Sequence, residues 1–174
     1  MKESGNKPPD HWAEDRPPSA EERNALATTD EWKARLVKTG VNLNGATPTC
    51  AEAVFIERMT RAGEHIEWLP KGKHDAHGFI MSSLDFKWNG ADWELKSPGP
   101  TKPPRALAGQ IRKCQWKART NHGITKDHFM IDLGDTLITS AWLRVIADYN
   151  LSADIPIREL WVHSRGSLHK IQMR

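Results

Sequence analysis

Between Ser83 and Pro98 apolar and polar residues alternate on both sides of Asn89-Gly90. That dipeptide is a strong hairpin signal, because both central residues of a type I′ turn take φ > 0. A two-residue loop fixes the register: Trp88 faces Ala91, Lys87 faces Asp92, Phe86 faces Trp93, Asp85 faces Glu94 and Leu84 faces Leu95. Side chains alternate faces along a strand, so Leu84, Phe86, Trp88, Ala91, Trp93 and Leu95 share an apolar face. Asp85, Lys87, Asp92, Glu94 and Lys96 share the other.

Elsewhere the period is helical. Thr29 to Lys38 predicts a short helix closed by Gly40. Thr49 to Ala62 predicts an amphipathic helix stopped by Gly63, with Ala51, Phe55, Met59 and Ala62 on one stripe. Pro104 suits a first turn, and Arg105 to Arg119 follows with Leu107, Ala108, Ile111, Cys114 and Ala118 facing inward. Strands are expected at His65–Pro70 and His128–Leu133, the latter apolar enough for a sheet interior. Phe79–Met81 is a short element before the hairpin. A helix over Ser140–Tyr149 and a hairpin of Arg158–His163 with Ser167–Met173 complete an α/β order.

The polar face of the first hairpin carries the candidate chemistry. Like charges directly opposite one another weaken a ladder, so Asp85 against Glu94 calls for a counterion. Hard divalent ions take carboxylate oxygens together with water and phosphate. Lys96 falls on the same face, where an ammonium could hold an attacking water or meet developing phosphorane charge. The competing reading is a solvated outer face, where mixed acid and lysine are common. A His-x-x-His spacing at His74 and His77 is a weak metal signal without further ligands.

Asp85 followed by a short hairpin and then Glu94-Leu95-Lys96 resembles the PD-(D/E)XK nuclease motif. The longer wording D-F-K-W-N-G-A-D-W-E-L-K-S-P resembles one branch of it, the metal-dependent tRNA nuclease domain at the C-terminus of contact-dependent growth-inhibition toxins of the CdiA type. This sequence has Leu84 where that branch carries proline, and the likeness spans roughly Thr49 to Asp135. The resemblance implies a restriction-endonuclease-like core, a central mixed β-sheet flanked by helices. It implies Mg²⁺, or another divalent cation such as Mn²⁺, at Asp85 and Glu94, with Glu52 of the preceding helix as an extra acid. Gln115 fits a position near that metal better than Gln110 does. A toxin would act in the cytoplasm, be delivered as part of a larger protein and have a cognate immunity protein.

Composition adds a mild bias. The 174 residues carry a net charge of +3, compatible with a nucleic-acid substrate. Cys50 and Cys114 form no disulfide framework or zinc pattern, no apolar run reaches transmembrane length, and the N-terminus is no signal peptide. Residues 1–28, with Lys7-Pro8-Pro9 and Arg16-Pro17-Pro18, read as a flexible lead or linker, leaving 29–174 as the domain. Lys73 lies in a basic loop, and Lys102, Arg105, Arg112, Lys113 and Trp116 surround the long helix. Cations interleaved with an aromatic suit phosphate and base-stacking contacts. His163, Arg165, His169, Lys170 and Arg174 add basic ends to the last hairpin. The expected function is a metal-dependent endonuclease of RNA, foremost tRNA. The alternatives are a DNA endonuclease of the same fold and a non-catalytic nucleic-acid-binding protein.

Overall fold

The computed structural model describes residues 19–78, 83–99 and 101–174. Phe79–Met81 and the first 18 residues of the lead lie outside the described residues. Six strands form one mixed sheet in sequential order: β1 (Ile66–Trp68), β2 (Phe86–Trp88), β3 (Ala91–Lys96), β4 (His128–Asp132), β5 (Glu159–Ser164) and β6 (Ser167–Ile171). The two inner pairings, β3 with β4 and β4 with β5, are parallel; the outer three are antiparallel. Parallel neighbours need crossovers. The helices α4 (Pro104–His122) and α5 (Ser140–Ala147) supply them and pack on each other. The protein is thus α/β, a mixed sheet flanked by helices, as the sequence pattern led us to expect.

The two faces of the sheet have separate cores. On one, Phe86, Trp88, Trp93, Leu95 and Met130 pack with α3 (Cys50–Arg61) and with Trp32 and Leu36 of α2 (Asp30–Thr39). The hairpin supplies its aromatic centre: Phe86 lies 5.3 Å from Phe55 and 5.9 Å from Trp68, ring to ring, and Trp88 meets Trp93 edge-on at 5.2 Å. On the other face, Leu107 and Ile111 of α4 and Trp142 and Ile146 of α5 cover Phe129, Ile131, Leu160 and Val162. Cutting the fully buried Phe86 back to alanine would cost about 3–5 kcal/mol.

Helix ends follow local chemistry. Thr29 and Thr49 cap α2 and α3 with their hydroxyls, while Gly40 and Gly123 close α2 and α4 in the left-handed conformation glycine tolerates. The folded part begins earlier than expected. Ser19 and Glu22 make a capping box at α1 (Ala20–Asn24), the Cys50 N–H donates to the Ala25 carbonyl at 2.8 Å, and Ala27 is buried. Residues 19–28 therefore belong to the domain rather than to a linker, because their backbone is tied to the start of α3.

Candidate active site

The Asn89-Gly90 turn sets the expected register at three pairs, Trp88–Ala91, Lys87–Asp92 and Phe86–Trp93. Both turn residues have positive φ, 50° and 79°. The ladder then changes. Asp85 donates its N–H to the carbonyl of Trp93, the residue already opposite Phe86, so two residues face one, the count of a β-bulge. Asp85 does not sit opposite Glu94, and Leu84 does not pair with Leu95. The bulge instead turns the Asp85 carboxylate across the strand, where Oδ2 accepts the Leu95 N–H at 2.8 Å.

Glu94 is the centre of the site. Its side chain is 8% exposed, and two lysines hold its two oxygens. Lys96 reaches Oε1 at 2.5 Å and Lys126 reaches Oε2 at 2.5 Å, while the Cys114 thiol donates to Oε1 at 3.2 Å. Burial pushes the Glu94 carboxyl up, but the Lys96 and Lys126 ammoniums outweigh it and hold the group below the usual carboxylate range. Lys96 is its mirror image: burial disfavours its charge, and Glu94 more than restores it. Burial, and next the charge of Glu94, push the Cys114 thiol up, so it is a neutral donor rather than a nucleophile.

Asp85 is the frustrated member. Burial, followed by the charge of Glu94, raises its carboxyl from 3.8 to about 6, despite the Leu95 N–H and Lys71. The nearest cation is Lys71, 3.8 Å from Oδ1 and half exposed. Lys71 also contacts Glu52 Oε1 at 3.2 Å, while Glu52 Oε2 accepts the Thr49 N–H in the capping box of α3. Glu52 thus reaches Asp85 only through Lys71. Among the described residues no group of three or more His, Cys, Asp or Glu side chains gathers around a common point, whether at Glu52 or at His74 and His77.

Gln115, expected near the metal, is buried among the apolar residues of α4. Its amide donates to the Lys126 carbonyl at 2.7 Å and accepts the Tyr149 hydroxyl at 2.7 Å. Both ends are occupied, and the effect is to fix the backbone of Lys126. That lysine was missed by sequence reasoning. Its ammonium, 6% exposed, bonds both Glu94 and the Ser83 carbonyl and so ties the hairpin to the start of β4.

Lys96, Ser97 and Cys114 open onto a cleft of about 600 Å³ between β3 and α4. Its walls also carry Lys102, Lys113 and Lys117, together with Arg23 of α1, and no acidic side chain among the described residues. Arg23 packs against Gly99, where a Cβ would come within 3.1 Å of its guanidinium. Ser97 contributes a buried hydroxyl with no hydrogen-bond partner among the described residues. Arg105, Arg112, Lys113 and Trp116 are exposed on α4, Trp116 at 59%, and Lys73 is exposed in its loop. His163 departs from expectation. It is 2% exposed and contacts Asp132 through Nδ1 at 3.1 Å, because β5 is an interior strand; it offers nothing to a surface ligand.

The donor set fits a hard divalent ion. Burial and the charge of Glu94 leave Asp85 at a raised pKa, and Glu94 is bonded to Lys96, which lines the cleft together with Ser97 and its unpartnered hydroxyl. Asp85 Oδ1 is the more available oxygen; at Glu94 an ion would share its oxygens with Lys96 and Lys126.

No family model matches the chain, and no curated protein matches it significantly. Among solved structures it is similar to a CdiA-CT/CdiI toxin and immunity complex from Burkholderia pseudomallei, at a TM-score of 0.44 and 18% sequence identity, with 83% of this chain and 89% of that chain covered. No helix among the described residues is long and apolar enough to cross a membrane.

Proposed function

We propose that this chain is a metal-dependent phosphodiesterase that cleaves a polynucleotide, with RNA, foremost tRNA, as substrate. The observation that carries the reading is Lys96, which bonds Glu94 and lines a cleft whose charged lining, among the described residues, is cationic, with Asp85 close enough for the charge of Glu94 to raise its carboxyl. A polyanion entering such a cleft finds phosphate partners along the walls and a carboxylate–lysine cluster at the end. Asp85 and Glu94 would hold the divalent ion, and Lys71 links Glu52 to Asp85.

The ion, when bound, supplies Lewis-acid polarisation of the phosphate and a more acidic bound water. The remaining work belongs to the side chains. Lys96 faces the cleft and places a fixed positive charge where the phosphoryl oxygens gain charge. Lys126 holds the second oxygen of Glu94, so the carboxylate cannot rotate away. Gln115 acts one step back by anchoring Lys126. Lys102 and Lys113 hold flanking phosphates, as do Arg105 and Arg112 from the outer face of α4. The role of a toxin domain, with a cognate immunity protein and delivery within a larger protein, rests on the wording of residues 83–98.

The test is cleavage of total tRNA and of linear duplex DNA by the purified protein, with Mg²⁺ or with EDTA, beside Glu94→Gln and Lys96→Met. Discrete tRNA fragments that vanish with EDTA and in both variants are expected. Cleavage of DNA alone would keep the site and change the substrate. Intact tRNA and DNA, with the protein folded by circular dichroism, would refute the enzyme.

A further inference from the structure

The outer side of α4 carries a second cavity, to which the cleavage reading gives no role beyond the phosphate contacts of Arg112 and Lys113. It has a volume of about 380 Å³ and lies between α4 and the segment after α5. Trp116 forms one wall, Gly109 and Ile155 are apolar lining, and Arg112, Lys113 and Asp154 supply the charged groups. Arg112 and Trp116 are one turn apart, so the guanidinium and the indole lie side by side on one helix face. Arg112 is held there: it donates to the Ser152 hydroxyl at 3.3 Å and its guanidinium sits 5.5 Å from the Tyr149 ring. Gly109 leaves the slot open, since a Cβ there would meet nothing within 4 Å. Lys113 lines both this slot and the basic cleft, so the two adjoin at that residue of α4.

A flat, mostly apolar slot beside a phosphate-binding cleft has a specific match in nucleic acids. Aromatic side chains take unpaired bases by stacking, whereas a base inside a duplex has no free face to offer. We propose that the Trp116 slot binds one unpaired nucleobase next to the phosphate held in the cleft. The base stacks on the indole, Asp154 accepts from its N–H groups, and Arg112 with Lys113 holds the adjoining phosphates. The substrate is therefore a looped or single strand and not a continuous duplex. This inference rests on the nuclease reading of the cleft and specifies what that cleft selects.

The experiment measures binding apart from cleavage, by fluorescence anisotropy in EDTA over a series of salt concentrations. Three labelled ligands of equal length are compared: a single-stranded RNA, the same RNA with one abasic position, scanned along the strand, and a fully paired RNA duplex. Trp116→Ala should weaken the single strand about tenfold, the loss of one stacked base. Trp116→Phe should recover part of that loss. The duplex, and the strand whose abasic position falls at the slot, should respond to neither variant. The slope of affinity against salt should stay constant, since no charge is removed. Asp154→Asn should weaken the single strand less than Trp116→Ala does. Equal losses on single strand and duplex, or no loss on the single strand, would overturn the slot. Its failure is separable from that of the nuclease: a protein that cleaves tRNA yet binds strands independently of Trp116 keeps the enzyme and loses the slot. Trp116-dependent strand binding with no cleavage in Mg²⁺ keeps the slot and loses the enzyme.

Discussion

Two buried carboxylate clusters, on opposite faces of neighbouring strands, show what separates a structural ion network from a site. Asp132 at the end of β4 accepts from Arg58 of α3, from the Gly134 N–H and from His163 of β5, all within 3.1 Å. Burial works against its charge, but the His163 hydrogen bond and Arg58 hold the Asp132 carboxyl below its ordinary range. Each side chain in that cluster is buried, and among the described residues no second acid pairs with Arg58 or His163. Glu94 is held down in a similar way by two lysines. Its cluster differs in two respects: it includes Asp85, left at about 6, and it opens through Lys96, 22% exposed, onto a cationic cleft. A network that settles its own charge holds the fold. One that leaves an acid frustrated beside an opening is where a ligand has something to gain.

The comparison breaks first, and hardest, at Asp132. Asp132→Ala leaves Arg58 buried without its carboxylate, so stability should fall by about 3–5 kcal/mol, measured by urea unfolding. Below the new melting temperature the folded fraction should cleave at the wild-type rate; a specific loss of cleavage would make the Asp132 cluster part of the site. Lys96→Met should do the reverse. Its cleavage rate should drop by about 10²–10³ for loss of a charge aimed at the reacting phosphate. Its melting temperature should move by only a few degrees, because Lys126 still neutralises Glu94.

Titration separates the clusters by sign. In EDTA, Asp85 binds its proton more tightly when folded, at about 6, than its ordinary value of 3.8. The folded state is therefore favoured at low pH, and this contribution declines as pH rises from about 4 to 6, by up to about 3 kcal/mol. Asp132 and Glu94 are lowered on folding, so their stabilisation is complete above 3.8 and 4.5 and is lost as pH falls through the folded values. Asp85→Asn keeps an oxygen for the Leu95 N–H and removes the titration. Its melting temperature relative to wild type should rise between pH 4.5 and pH 8. A difference that does not change with pH would mean that Asp85 is not frustrated. Added Mg²⁺ should stabilise the wild type at pH 8, and Asp85→Asn much less.

Much of this arrangement was legible in the sequence, and the exceptions have physical causes. Asn89-Gly90 disclosed the hairpin, its register through Phe86 and the face carrying Glu94 and Lys96. It could not disclose the bulge at Asp85, because a two-against-one count depends on how β2 also meets β1, where Leu69 donates to the Asp85 carbonyl. Lys126 was hidden for another reason. It lies 32 residues from Glu94, and only the parallel pairing of β3 with β4 across α4 brings the two together. Asp132 did leave a trace, since it is a lone charge after the apolar run Phe129-Met130-Ile131, and such a charge needs a buried partner. Helix caps at Thr29, Thr49 and Gly40 were local and readable, whereas the docking of residues 19–28 depended on backbone bonds to the start of α3.

The smallest effects belong to the cleft walls, and they refine the contrast between an open and a closed cluster. Lys102 and Lys113 line the cleft and make no ion pair with an acid among the described residues. Neutralising a lysine that contacts one phosphate should reduce the slope of log affinity against log salt by about 1 and weaken binding a few-fold at physiological salt. Lys102→Ala and Lys113→Ala should each show this, and together nearly twice as much, for single strand and duplex alike. Lys170 is the control. It is also a surface cation, but it pairs with Glu159 at 2.9 Å on the far edge of the sheet. Lys170→Ala should leave the salt slope unchanged. If Lys170→Ala matches the other two, attraction comes from overall charge and the cleft has no privileged role. If only the cleft lysines move the slope, the polyanion lies where Lys96 can meet it.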